Sequence, residues 1–123
     1  MATVLIVDDE EEICDVLKDM LVRMDLAVEC ATTGDLALQM IERNDWTMGL
    51  VDLKLSTSVT GVDVIKAFRK KNPYTMIIVI TGYIDRDLKR EVEGLRVNAY
   101  LEKPNGIQEE VLTDTVRSVL SKS

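Results

Sequence analysis

Thr3-Val4-Leu5-Ile6-Val7-Asp8-Asp9-Glu10-Glu11-Glu12 is the stretch on which the fold turns. Its first half is a short apolar run rich in β-branched residues, which reads as a buried strand. Five carboxylates follow where that strand ends. A nucleotide-binding domain of the βαβ type places a Gly-rich turn at this point, and its backbone cradles phosphate. Five consecutive carboxylates repel a phosphate and suit a cation. The chain also has no Gly-x-x-x-x-Gly-Lys-Ser/Thr loop, which excludes a P-loop NTPase.

The same strand-then-helix alternation continues outward from this stretch. A helix is expected from about Glu10 to Met24, with Ile13, Val16, Leu17, Met20, Leu21 and Met24 along one stripe. Ala27 to Ala31 reads as a second strand, and Glu29 within it suits a sheet edge. Thr32 and Thr33 offer caps for a helix carrying Leu36, Ala37, Met40 and Ile41 on one face and ending at Asn44-Asp45. Met48 to Val51 is a third strand. The polar segment Ser56 to Thr60 leads through Gly61 into a helix with Val62, Ile65 and Phe68, which Asn72-Pro73 stops. Met76 to Ile80 is apolar without alternation, as a strand covered on both faces should be. Leu88, Val92 and Leu95 mark a fourth helix, Ala99 to Leu101 a last strand, and Leu112, Val116, Val119 and Leu120 a last helix. This order requires a doubly wound α/β fold: a five-stranded parallel sheet with helices on both faces.

In such a sheet the carboxyl ends of the strands lie together and form the ligand crevice. Asp8-Asp9, Asp52, Thr81 and Lys103 each stand where a strand ends. Each has an ordinary reading: one of the two leading Asp residues caps the first helix, Thr81 caps the turn at Gly82, Tyr100 is core and Lys103 is a surface lysine. Their joint placement points further. Unpaired like charges are costly, and Asp8 and Asp9 suit Mg²⁺, which takes a few carboxylates plus water and phosphate oxygens. An Asp carboxylate such as Asp52 can attack phosphorus and form an acyl phosphate. Lys103, stiffened by Pro104, can pair with Asp52 and then with a phosphoryl oxygen.

At 123 residues the chain suits one domain spanning residues 1–123. No apolar run approaches the roughly 20 residues of a membrane helix, and no basic segment precedes the first strand, so neither a membrane span nor a signal peptide is expected. A net charge of −7 argues against direct nucleic-acid binding, which rests on clustered Lys and Arg. The basic run Arg69-Lys70-Lys71 reads as a solvated helix end. Cys14 and Cys30 are far apart in sequence and read as buried free thiols, which implies a reducing, cytoplasmic setting.

Val7-Asp8-Asp9, Val51-Asp52-Leu53-Lys54-Leu55, Ile80-Thr81-Gly82-Tyr83 and Tyr100-Leu101-Glu102-Lys103-Pro104 together resemble the receiver domain of two-component response regulators, over essentially the full chain. The resemblance implies a flavodoxin-like fold with strand order 2-1-3-4-5. It implies that Asp52 accepts a phosphoryl group from a histidine kinase or phosphotransfer protein. Asp9, Asp52 and the Lys54 backbone carbonyl would bind Mg²⁺ or Mn²⁺ directly, with Asp8 acting through water. Thr81 and Lys103 would contact the phosphoryl group. Thr81 and Tyr100 would switch a surface read by a downstream protein or output domain. Lys54 and Tyr83 would tune the lifetime of the phosphorylated state. On this reading the chain is a signalling phosphoacceptor that assists its own phosphorylation and dephosphorylation, and not a free-standing enzyme. With no His it cannot itself carry a phosphohistidine. It departs from the family pattern in the Leu55 to Gly61 segment, which lacks a Pro and carries one extra residue, and in Asn105 after Lys-Pro. Two other readings stand beside it. One is an Asp-nucleophile phosphatase, which usually carries a carboxylate where Lys54 stands. The other is a receiver-like adaptor that is never phosphorylated.

Overall fold

A computed structural model describes residues 1–82 and 86–122. The apolar runs form β1 (Thr3–Val7), β2 (Ala27–Ala31), β3 (Met48–Asp52), β4 (Met76–Thr81) and β5 (Ala99–Glu102). They make one parallel sheet in the order β2-β1-β3-β4-β5, the flavodoxin-like order. Five helices connect or follow them: α1 (Glu11–Val22), α2 (Gly34–Arg43), α3 (Gly61–Lys71), α4 (Arg86–Glu93) and α5 (Glu109–Ser121).

Alternate residues of each strand face opposite sides. Val4, Ile6, Leu50, Ile78 and Ile80 meet Leu17 and Leu21 of α1 and Leu112 and Val116 of α5. Leu5, Val7, Val51, Ile77 and Val79 meet Ala37 and Ile41 of α2, Ile65 and Phe68 of α3 and Val92 of α4. This two-sided burial is why the central strands show no polar alternation. Burying one such side chain is worth roughly 1.5–3 kcal/mol, against less than about 1 kcal/mol between ordinary helix formers. Packing therefore places the helices, and propensity only permits them.

Several boundaries differ from expectation. α1 ends at Val22 and the chain turns through Asp25 at φ 62°, a left-handed conformation that Asp tolerates. Leu36 is 40% exposed, because Ala37 and Ile41, four residues apart, define the buried face of α2. Leu95 follows α4 rather than belonging to it, and packs from the next turn. A single 3₁₀ turn, Asn105–Ile107, precedes α5. The expectation of a solvated helix end at Arg69 fails. Its guanidinium is partly buried and donates to the carbonyls of Leu95, Thr75 and Arg96, which satisfies a planar fork that Lys70 and Lys71 lack. Burial lowers its pKa from the ordinary arginine value, with Arg96 adding to the effect.

The departing loop after β3 is ordered by its own polar groups. Thr57 Oγ1 accepts from Gly34 N and donates to Val59 O, and Thr60 and Asp63 form a reciprocal capping box on α3. Gly61 then lets α3 start against the backbone of Asp52 and Leu53. A β-carbon at Gly61 would collide with the Asp52 carbonyl, so a glycine there seats the helix directly behind Asp52.

Candidate functional site

Strand register brings the polar residues to one level. Val7 lies beside Val51, Asp52 beside Ile80, and Thr81 beside Glu102. Lys103 N donates to Thr81 O at 2.8 Å, which carries the chain back across the end of β4, and the Lys103–Pro104 peptide is cis. Asp8, Asp9, Asp52, Thr81 and Lys103 thus gather at the carboxyl end of the sheet, as the sequence placed them. Asp8, Asp52 and Thr81 are buried.

The Lys103 ammonium sits among carboxylates: 2.8 Å from Asp8 Oδ2, 3.0 Å from Asp52 Oδ2 and 3.3 Å from Glu10 Oε2. Backbone donors hold the other oxygens. Glu10 N donates to Asp8 Oδ1 at 2.9 Å, Lys54 N to Asp52 Oδ1 at 3.0 Å and Ser56 N to Asp9 Oδ2 at 3.1 Å. The last bond ties the loop after Asp52 to the first acidic turn. Asp9, Glu10, Asp52, Lys54, Gly82 and Lys103 line an open cleft of about 370 Å³. Among the described residues, a β-carbon added at Gly82 would meet nothing within 4 Å.

Charge is unbalanced here. Burial is the largest influence on Asp52 and raises its pKa. The Lys54 N–H and the Lys103 ammonium pull it down but do not offset the burial, and the Asp8 charge adds to the rise. Burial alone would lower the pKa of Lys103, but Asp8 and Asp52 outweigh it and raise the value. The proton stays on Lys103, and the uncompensated charge stays with the carboxylates. Asp8 Oδ2 is buried, and its partner among the described residues is the Lys103 ammonium. Among the described residues, Asp8, Asp9 and Asp52 form a group whose ligand oxygens lie within 4.8 Å of one another. An excess of hard oxygen donors that one ammonium does not balance fits a divalent cation such as Mg²⁺ or Mn²⁺.

Glu10 is the residue that sequence reasoning missed. It stood in the acidic run, but only the structure shows its carboxylate reaching Lys103. Tyr100 packs at the edge of the core beneath α4, with the Lys89 ammonium 5.6 Å from its ring centroid. Its hydroxyl is buried without a hydrogen-bond partner among the described residues, and burial raises its pKa. Lys54 is exposed at the mouth of the cleft. Tyr83 lies outside the described residues. No helix among the described residues is long and apolar enough to cross a membrane.

Residues 4–117 match the family model of the response regulator receiver domain. The chain is 32% identical over 124 residues to the sensory transduction protein RegX3 of Mycobacterium tuberculosis, covering 99% of this chain and 52% of that protein. It is 30% identical over 102 residues to the response regulator protein PilR of Pseudomonas aeruginosa, covering 81% of this chain and 22% of that one. It therefore spans between about a fifth and a half of the length of these relatives. A crystal structure of a CheY-like receiver domain protein from Methanospirillum hungatei superposes with a TM-score of 0.92 at 27% identity, covering 99% of this chain and 95% of the other.

Proposed function

The chain belongs to the response regulator receiver family of two-component signalling, and from that premise we propose that Asp52 takes a phosphoryl group from the phosphohistidine of a histidine kinase or phosphotransfer protein. The observation that carries this reading is the Asp52 carboxylate, buried at the end of β3 yet open to the cleft and held 3.0 Å from Lys103 Nζ. An Asp52 oxygen attacks phosphorus, the P–N bond breaks, and the imidazole leaves with the electron pair and takes up a proton. The product is an acyl phosphate. Such transfers depend on positioning and charge stabilisation more than on covalent help. The Lys54 N–H holds one Asp52 oxygen and so presents the other. Lys103 pairs with the acceptor and then with an oxygen of the phosphoryl group. The Thr81 hydroxyl, at the end of the neighbouring strand, hydrogen-bonds another.

Asp9, Asp52 and the Lys54 carbonyl would hold Mg²⁺ or Mn²⁺ directly, with Asp8 acting through water. When bound, the cation neutralises charge that develops on the transferring oxygens. The reading makes residues 1–123 one cytoplasmic module with no nucleic-acid contact of its own, consistent with its net charge of −7. Incubation with acetyl phosphate and Mg²⁺ followed by intact mass tests it. The expected result is one phosphoryl adduct on the wild type and none on Asp52→Asn. A wild type that stays unmodified defeats the proposal, and continuous turnover of substrate with no adduct favours a phosphatase.

We place the output at the surface of α4, β5 and α5. Phosphorylation adds charge and acceptor oxygens that draw Thr81 and reorder its surroundings. Tyr100 stands next along this route, with its hydroxyl unbonded among the described residues and its ring against the core. Thr81→Ala should still accept the phosphoryl group but transmit it poorly. NMR shifts near Tyr100 that match the phosphorylated wild type would show the route to be wrong.

Lifetime depends on water reaching phosphorus in line with the Asp52 bond. Lys54 stands at the cleft mouth and Tyr83 is the second flanking residue by family position. Neither is a carboxylate or amide suited to orienting water, so hydrolysis should be slow for this family while loading stays easy past Gly82. Lys54→Asn or Tyr83→Ala should shorten the half-life by about tenfold, equivalent to about 1.4 kcal/mol of barrier. Decay of the phosphorylated protein in Mg²⁺ measures this, and unchanged or slower decay in both variants rules the idea out.

A further inference from the structure

Cys14 and Cys30 are sixteen residues apart in sequence, a spacing that suggested two unrelated buried thiols. The fold puts them side by side. Cys14 lies in the first turns of α1 and is buried, and Cys30 lies on the edge strand β2 opposite Ile6, partly exposed, on the same side of the sheet. Cys30 Sγ is 3.6 Å from the Cys14 carbonyl oxygen, so its sulfur packs against Cys14. Cys14 Sγ in turn is 3.4 Å from the Asp8 carbonyl oxygen.

We propose that Cys14 and Cys30 are a peroxide-responsive pair, in which the accessible Cys30 sulfur is oxidised first and Cys14 closes it into an intramolecular disulfide. The order follows from exposure, since solvent reaches Cys30 at the sheet edge and not Cys14. The electrostatics agree. The neighbouring Cys14 thiol is the largest influence lowering the pKa of Cys30, burial opposes it, Lys18 lowers it further, and Asp15 and Asp8 raise it. A thiolate is the nucleophile that peroxide oxidises, and a neighbouring thiol resolves the sulfenic acid.

The chemistry balances. The Cys30 sulfur attacks one oxygen of hydrogen peroxide, the O–O bond breaks, and hydroxide leaves to become water. The product is Cys30–SOH. The Cys14 sulfur then attacks the Cys30 sulfur, the S–O bond breaks, and the departing hydroxide takes the Cys14 proton as a second water. Two thiols have supplied two electrons to one peroxide. The disulfide also withdraws the S–H that faces the Asp8 carbonyl, so oxidation reaches the acidic pocket.

The test is independent of phosphorylation. Reduced full-length chain is treated with hydrogen peroxide, denatured without reductant, and measured by intact mass and peptide mapping. The expected product is a monomer lighter by two hydrogens, with Cys14 linked to Cys30 and restored by dithiothreitol. Cys14→Ser should leave Cys30 as a sulfenic acid that dimedone traps, and Cys30→Ser should leave Cys14 unmodified. Circular dichroism confirms that each variant is folded, and if either is not, Cys→Ala at the same position replaces it. Two reduced thiols after treatment, a product linked only between chains, or dimedone labelling of Cys14 in Cys30→Ser overturns the proposal. Oxidised wild type should need about threefold more Mg²⁺ for half-saturation, a modest hydrogen-bond effect. Equal midpoints in the two forms overturn the link to the pocket.

Discussion

Replacing Lys103 with Met is expected to lower the stability of the metal-free protein by about 3 kcal/mol and its melting temperature by on the order of 10 °C. Lys103 is 15% exposed and is the ion-pair partner of Asp8 and Asp52, with Glu10 as an exposed third. Removing one partner of a buried pair leaves the other charge uncompensated, which typically costs about 3–5 kcal/mol. The lower end applies here because the carboxylates can take up protons and the cleft is open to water. The loss should shrink in Mg²⁺, since a cation bound only by the folded state stabilises it by mass action. In the variant that cation no longer shares the carboxylates with an ammonium. Thermal melts of wild type and Lys103→Met, with EDTA and with Mg²⁺, decide it. An unchanged metal-free melting point, or a loss of equal size in both conditions, contradicts the charge balance described above.

Much of this site was readable from strand ends. Apolar runs such as Met76 to Ile80 mark where the buried sheet lies, and a polar residue at the end of such a run can only stand in the crevice. That is why the sequence places Asp8, Asp52, Thr81 and Lys103 at the crevice. Contacts between distant side chains were not readable, because no period or spacing encodes them. Glu10 was one of several adjacent carboxylates until Lys103 was seen to reach it across 93 residues of chain. Arg69 belonged to a basic run until the turn after α4 offered it carbonyls. Cys14 and Cys30 looked unrelated because the α1–β2 connection folds them together. Helix ends were read less well than helix faces. α1 stops at a left-handed Asp25 that nothing in the apolar stripe announces.

Asp52→Asn should move stability in the direction opposite to Lys103→Met, and this contrast separates electrostatics from packing. Asparagine keeps the shape and one of the two oxygens, which can accept from Lys54 N or from Lys103, and removes one charge from the group formed with Asp8 and Asp9. Burial raises the Asp52 pKa above its ordinary 3.8, so the fold favours the neutral form. The stability that this neutral form brings is present below the ordinary carboxylate range and is lost as pH rises through the raised value. The asparagine side chain mimics the neutral form at every pH, so its advantage over the wild type should grow as pH rises. The metal-free variant should therefore be more stable than the wild type. Its response to Mg²⁺ should fall. The wild type should gain about 2.7 kcal/mol at 100 times its dissociation constant. The variant, with one direct carboxylate fewer, should gain much less at the same concentration. Denaturant melts at fixed pH with and without Mg²⁺ give both quantities. A metal-free Asp52→Asn protein less stable than wild type would mean that Asp52 is held by net favourable contacts, and that the acidic residues do not share one repulsive pocket.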